Sequence, residues 1–201
     1  MASAPNVLAG ISWNTGGPYP YVIHASMNTA VDPSALAESL TLDYLRSASA
    51  RERHLYVARS NYDGNSAGLR LIADDPATDR ASALMMYWAL GARYLAQFAD
   101  DSEVPDWQRR DCTLVRTLES RFLSGFYASG IYFDPGDGPV PPDDYADLPL
   151  RRPIPEAMYA VVEGQDRVDL DDSGYDEGLP LALAEQIWHL FDDPSASTVQ
   201  V

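Results

Sequence analysis

The sequence predicts an all-α protein, a helical bundle followed by a loop-rich acidic extension at the C-terminus. Three observations support this fold class. Apolar residues recur at helical spacing in five segments between residues 32 and 126. Residues that typically begin or end helices stand between these segments. After Gly130 the composition changes, and residues 134–144 contain four prolines, two glycines and four aspartates, which is typical of a long surface loop.

The first three helices follow from their caps and apolar positions. Asp32 is a suitable cap and Pro33 a suitable first helical residue, so helix one is expected to begin there. Helix two is predicted over about residues 50–60, where Asn61 and Gly64 begin a turn. Helix three is predicted from about Asn65, and the Asp-Pro pair that follows ends it.

Two longer helices complete the predicted bundle. Thr78 or Asp79 is expected to cap helix four, whose apolar face extends to Phe98. Helix five is predicted over about residues 105–126, with a large apolar residue at every fourth position from Leu114 onward.

The chain ends add shorter elements to this core. Residues 155–162 and 179–191 each show a short helical pattern. Two apolar runs within residues 6–31, separated by a Gly/Pro turn signal, predict either a short N-terminal hairpin or an extended strap. We therefore predict a helical core domain over residues 1–128 and an acidic extension over 129–201, whose two short helices pack on that core.

Composition limits the compartment and the partners. No apolar run is long enough for a membrane span, and the first residues lack the features of a signal peptide, so we expect a cytoplasmic protein without membrane contact. The formal net charge is −16, and residues 129–201 hold 16 Asp and Glu against 3 Arg. Such a surface repels nucleic-acid phosphates and attracts a basic protein.

Patterns for catalysis or metal binding are incomplete. The run that begins at Asp169 resembles a calcium loop, but its twelfth position is Pro180 in place of the bidentate Glu. The three histidines are far apart and Cys112 lies within a helical pattern, so neither a zinc site nor a cysteine nucleophile is indicated. We predict no catalytic residue, no metal and no cofactor, and hence a protein that is not an enzyme.

A signature-like stretch runs from residue 52 to residue 88. His54 on helix two is expected to hydrogen-bond the following turn or the Asp63 carboxylate, which would fix helix two to helix three. Further polar and aromatic residues of this stretch are interpreted as structural. The complete set is His54, Asn61, Asp63, Asp79 and Trp88.

This stretch resembles a bacterial family, the domain of unknown function 4274. The resemblance is carried by His54, Ala58, Asn61-Tyr62-Asp63-Gly64, Leu71-Ile72, Asp79 and the run from Ala83 to Trp88. It implies a small helical bacterial protein of the kind often encoded among secreted-toxin loci, where acidic cytosolic partners act as immunity proteins.

Charge and resemblance together predict a protein-binding function. We expect an immunity protein that neutralises a secreted toxin by covering its basic active site with carboxylates and one aromatic anchor. The partner-binding residues are expected to be Asp143, Asp144, Asp169, Asp171, Asp172, Tyr175 and Asp176. The alternative is a small-molecule-binding protein or enzyme with a pocket near His54, Asn61, Asp63 and Asp79.

Overall fold

A computed structural model describes residues 32–170 and 173–192, and helices, α-helical and 3-10 together, are the main secondary structure within these ranges. The helices are α1 (Pro33–Ser47), α2 (Ala50–Arg59), α3 (Ser66–Asp74), α4 (Arg80–Ala89), α5 (Ala92–Leu95), α6 (Arg109–Leu123) and α7 (Leu181–Asp192). The strands β1 (Tyr175–Asp176) and β2 (Leu179–Pro180) pair antiparallel, with Tyr175 opposite Pro180. The predicted all-α class is confirmed. The N-terminal hairpin or strap falls outside the described residues.

The first helices begin where the sequence predicts. The Asp32 carboxylate accepts the N–H of Ser34 at 3.0 Å and caps α1, with Pro33 as the first helical residue. Helix α2 begins with a capping box, in which the Ser49 hydroxyl accepts the N–H of Glu52 and the Glu52 carboxylate accepts the N–H of Ser49.

Helix α4 is the centre of the core. Every side chain from Ala81 to Trp88 is buried, and α2, α3, α5 and α6 all pack against this helix. Burying a large apolar side chain stabilises a fold by about 1.5–3 kcal/mol. A helix without a solvent face must therefore be covered on every side. The burial of α4 thus determines where the surrounding helices pack.

Three predicted helix boundaries are wrong, and at two of them a glycine in the left-handed region ends the helix. Helix four does not continue to Phe98, because Gly91 has φ +76° and separates α4 from the short α5. Helix five is shorter at both ends than predicted. A 3-10 turn at Asp106–Gln108 precedes α6, and Gly125, with φ +72°, follows it.

One of the two short helical patterns in the last third is also wrong. Only Glu156–Met158 forms a 3-10 turn, and Val162 pairs antiparallel with Phe133. A Cβ on Gly164 would lie 2.2 Å from the carbonyl carbon of Ile131, so the backbones here approach more closely than a helix with side chains allows. The other pattern is confirmed as α7.

Residues beyond 128 contribute to the same core as the helices. The buried members are Ile131, Phe133, Met158, Val162, Leu179 and Ala184. The Trp88 indole N–H donates to the carbonyl oxygen of Met158 at 3.0 Å, which connects α4 to this part of the chain. None of the helices in the described ranges combines the length and apolar character of a bilayer-spanning helix.

The β1–β2 hairpin depends on a glycine that touches α2. Gly178 has φ +80°, and a Cβ there would lie 2.5 Å from the Cα of Tyr56. Gly125 has a similar φ, but nothing lies within 4 Å of its Cβ position. We therefore expect Gly178→Ala to lower the free energy of unfolding by about 2–4 kcal/mol, from strain plus overlap, and Gly125→Ala by only about 1 kcal/mol. Urea unfolding followed by circular dichroism measures both, and equal losses would contradict the predicted backbone contact.

Candidate functional site

His54 connects α2 to α4. Its Nδ1 lies 3.0 Å from the Ser82 hydroxyl, and its ring meets Phe133 edge-on with centroids 6.1 Å apart. The expected bond to the following turn or to Asp63 is wrong. Since α2 packs against α4, the inward-facing imidazole is directed at α4 and not along its own helix.

The His54–Ser82 pair resembles a base beside a nucleophile, but its burial excludes that role in this structure. Ser82 is 0% exposed and His54 only 3% exposed, so a substrate cannot reach the hydroxyl. Burial lowers the pKa of His54 to about 4. The imidazole is therefore neutral at pH 7 and serves as a structural hydrogen-bonding group.

Asp79 is buried and bridges two parts of the chain. One carboxylate oxygen accepts the N–H of Ala81 at 2.8 Å and caps α4, and the other accepts the N–H of Ile131 at 3.1 Å. Burial raises the pKa of Asp79, while these two hydrogen bonds act in the opposite direction. The carboxylate holds segment 130–133 against the start of α4.

Asn61 and Asp63 lie on the exposed turn between α2 and α3. The Asn61 side-chain oxygen accepts the N–H of Asp63 at 3.1 Å, so Asn61 stabilises the turn. Of the four residues of the alternative pocket, only Asp63 lines one of the cavities described below. The structure buries His54 and Asp79 and leaves Asn61 and Asp63 exposed, so it does not bring the four together.

An open cavity of about 370 Å³ lies between the α2–α3 turn, the α4–α5 junction and the start of α6. We call it the aromatic pocket. Its principal side chains are Tyr62, Asp63, Tyr94, Trp107, Asp111 and Tyr145. Gly91 at the α4–α5 junction also lines it, and its positive φ turns the chain so that Tyr94 reaches the pocket wall.

Within the described ranges, neither carboxylate of the aromatic pocket, Asp63 or Asp111, forms a salt bridge with an arginine. Burial raises the pKa of Asp111, the adjacent Arg110 lowers it, and the negative charge of Asp63 raises it again. The same ranges contain no group of three or more His, Cys, Asp or Glu side chains placed to hold a metal ion.

An acidic loop over residues 143–147 borders the aromatic pocket through Tyr145. The Arg93 guanidinium donates to the carbonyl oxygens of Ala146 at 3.2 Å and Leu148 at 2.6 Å, which holds the loop against α5. Tyr145 adopts φ +60° and packs edge-on against Tyr94, with ring centroids 5.6 Å apart. The predicted partner residues Asp143 and Asp144 directly precede this ring and are exposed.

The other predicted partner residues lie elsewhere. Asp176 lines a second cavity, of about 350 Å³, between α1, the β1–β2 hairpin and α7. Tyr175 is half-buried beside it in β1, and Asp169 is exposed. Asp171 and Asp172 lie outside the described residues. Tyr62 and Asp63 line the aromatic pocket whereas Gly64 and Asn65 line the second cavity, so the α2–α3 turn separates the two.

Sequence reasoning missed most of the aromatic pocket. The predicted site includes Asp143 and Asp144 but not their neighbour Tyr145, and it does not include Tyr94, Trp107 or Asp111. A signal did exist, since Trp107 stands alone among the polar residues 106–110 and is 73% exposed. An isolated tryptophan in a charged segment indicates a binding surface more than a core position.

One protein family matches part of the chain. Residues 48–123 match DUF4274, a domain of unknown function. The resemblance noted in residues 52–88 is thereby confirmed, and it extends to the end of α6. Apart from Tyr145, every residue that lines the aromatic pocket belongs to the DUF4274 segment. No match was found among curated proteins or among solved structures.

His54 should make stability depend on pH. Its folded pKa of about 4 lies below its ordinary value of 6.5, so the unfolded chain binds a proton that the native protein does not. The loss of unfolding free energy caused by this proton is negligible above pH 6.5. It grows as the pH falls, to on the order of 3 kcal/mol at pH 4. His54→Asn keeps a polar atom at the δ position but has no imidazole to protonate. The difference in unfolding free energy between wild type and this variant should therefore decrease as the pH falls from 6.5 to 4. His189→Asn, on an exposed position, is the control; parallel pH curves for His54→Asn and wild type would contradict the assignment.

Asp79 should contribute more to the free energy of unfolding than an ordinary helix cap does. Asp79→Ala removes the α4 cap and leaves the Ile131 N–H without an acceptor, so we expect a loss of about 2–4 kcal/mol in unfolding free energy. Asp32→Ala, at the exposed cap of α1, should cost only about 1 kcal/mol. Thermal or urea unfolding of both variants compares them, and similar losses would show that the bond to Ile131 contributes little.

Proposed function

We propose that this chain binds a basic protein and acts as an immunity protein that neutralises a secreted toxin by covering its active site. The observation that supports this proposal is the acidic loop, whose carboxylates are exposed and unneutralised. In the described part of the chain, no arginine forms a salt bridge with Asp143, Asp144 or Asp147. Opposite charge on a partner would stabilise this arrangement.

Arginines elsewhere neutralise acidic residues of the bundle. Arg53 pairs with Asp75 at 2.6 Å, and Arg151 pairs with Glu103 at 2.6 Å. Arg152, the neighbour of Arg151, is also directed toward the bundle. The exposed carboxylates of the acidic loop are not among these pairs, and their charge can increase the association rate with a basic protein by about 10-fold or more.

Exposed aromatic rings next to the loop would supply contact area. Trp107 is 73% exposed and Tyr145 is 49% exposed, and both line the aromatic pocket. Tryptophan and tyrosine are the residues that most often dominate binding energy at protein interfaces. The acidic loop and these two rings form a surface suited to a basic cleft, and the DUF4274 resemblance is consistent with a bacterial immunity role.

The immunity role predicts protection in cells. Each product of the neighbouring reading frames in the native genome is expressed alone and together with this chain. We expect one of them to arrest growth and this chain to restore it by direct binding. If none arrests growth, or if this chain relieves none of the arrests, the immunity role is wrong.

Variants that replace carboxylates by neutral amides test which acidic surface binds the toxin. The triple variant Asp143→Asn, Asp144→Asn, Asp147→Asn should slow association with that toxin by about 10-fold at low salt and flatten its salt dependence. The matched control neutralises the same number of exposed carboxylates elsewhere, by Glu156→Gln, Glu163→Gln and Glu185→Gln. A third variant replaces the aspartates of residues 169–176 by asparagine and tests the other predicted group separately. Equal association rates for all three variants and wild type would contradict electrostatic occlusion.

A further inference from the structure

The aromatic pocket has the chemistry of a receptor for one organic cation. Aromatic rings present a negative face that attracts cations, and Tyr62, Tyr94, Trp107 and Tyr145 all line this cavity. A volume of about 370 Å³ lies within the range of pockets that hold a whole side chain or a small ligand.

Asp63 and Asp111 supply negative charge to the pocket. Both line it, and burial and the charge of Asp63 raise the pKa of Asp111, whereas the adjacent Arg110 lowers it. One cation between them would remove this repulsion and would attract both carboxylates. The described arginines do not provide it, because none forms a salt bridge with either residue.

The two carboxylates and the open shape of the pocket suit a ligand with several donors. Gln108 also lines the cavity, but its side-chain oxygen Oε1 is buried from solvent and is not counted among the ligand's acceptors. A ligand with several N–H donors would satisfy the two carboxylates at the same time.

The walls of the pocket are held in place before any ligand arrives. The Tyr62 hydroxyl donates to the Val57 carbonyl oxygen at 2.8 Å, which fixes that ring at the end of α2. Arg93 holds the loop that carries Tyr145, and the Tyr145 ring packs against Tyr94. Such preorganisation reduces the entropy that binding must overcome.

We propose that the aromatic pocket receives the guanidinium group of one arginine side chain presented by the partner. A guanidinium is planar, stacks on aromatic rings and donates to several acceptors at once, whereas an ammonium group is compact and more strongly hydrated. This assignment rests on the proposed function for its source, a basic protein, but the chemistry of the pocket can be tested without that protein.

The test titrates the full-length chain with acetyl-arginine methylamide, observed through the indole N–H signal of Trp107 in ¹⁵N NMR spectra. The neutral isostere acetyl-citrulline methylamide and the lysine analogue are titrated alongside. We expect the arginine compound to bind with a Kd on the order of millimolar, the lysine compound more weakly and the citrulline compound not at all. Equal shifts with citrulline, or shifts that map away from the pocket, would overturn the proposal.

Variants locate the binding. Asp111→Asn and Tyr94→Leu should each weaken arginine binding by about 3- to 10-fold. Asp137→Asn, on an exposed 3-10 turn, and Trp188→Ala, on exposed α7, should leave it unchanged. Because Trp107 is so exposed, Trp107→Ala should fold normally, and its loss of binding can be followed at the remaining pocket signals. If Asp111→Asn and the controls bind alike, the pocket is not the site.

The source of the cation is tested separately, in the growth-protection assay. Asp111→Asn should weaken protection. If one surface arginine of the toxin occupies the pocket, replacing that arginine should not weaken protection further when the chain already carries Asp111→Asn. If the free arginine compound binds but Asp111→Asn protects as well as wild type, the pocket takes a free cation and the partner assignment is overturned. If no compound binds while the loop variant still loses protection, the proposed function stands and the pocket assignment fails.

Discussion

The burial of α4 is the constraint on which the rest of this structure depends. A helix buried along its whole length needs apolar neighbours on each side and a partner for the N–H groups at its start. The neighbours are α2, α3, α5 and α6, together with buried side chains from residues beyond 128. The partner is Asp79, whose second oxygen also holds segment 130–133. One carboxylate therefore couples the helix start to the chain that covers it.

Covering α4 also determines where the acidic loop lies. Trp88 and Met158 fix one end of the returning chain, and the backbone N–H groups of Arg151 and Arg152 both donate to the carbonyl oxygen of Ala96. Arg93 holds the segment just before them. The loop over 143–147 is thus confined next to α5, where Tyr145 lines the same pocket as Asp111. The position of the acidic loop is therefore a consequence of how the core is closed.

The sequence predicts most helices because their signals are local. The cap at Asp32 and the turn at Asn61 and Gly64, with apolar positions at helical spacing, are enough to identify α1 and α2, and α6 and α7 follow from spacing alone. The wrong helix predictions arise where another local pattern or a long-range contact outweighs the local signal. Gly91 could have ended helix four, but apolar residues continue on the same face after it. The pattern at 155–162 fails because Val162 pairs with Phe133, a contact that helical spacing does not reveal.

The candidate site is harder to predict because it is assembled from four segments that are distant in sequence. Asp63 was identified, but Tyr94, Trp107 and Tyr145 lie 31, 44 and 82 positions further along the chain. The local sequence around each aromatic residue does not connect it with the others. Only the fold brings the rings and the two carboxylates into one pocket. Charge counting predicts an acidic surface, but it cannot separate the segment of Asp143 and Asp144, whose neighbour Tyr145 lines the aromatic pocket, from Asp176, which lines the second cavity.

The turn Asn61-Tyr62-Asp63-Gly64 combines a structural and a binding role in adjacent residues. Asn61 accepts the N–H of Asp63, and the Tyr62 hydroxyl donates to the carbonyl oxygen of Val57 in the last turns of α2. The Asn61 bond lies within the exposed turn and the Tyr62 bond points back to α2, and both Tyr62 and Asp63 line the pocket. The same bonds that close the turn therefore orient the groups that would meet a cation. Loss of function in a Tyr62 or Asn61 variant would not identify the binding groups, whereas Asp111, which caps no helix and makes no salt bridge in the described structure, separates binding from folding.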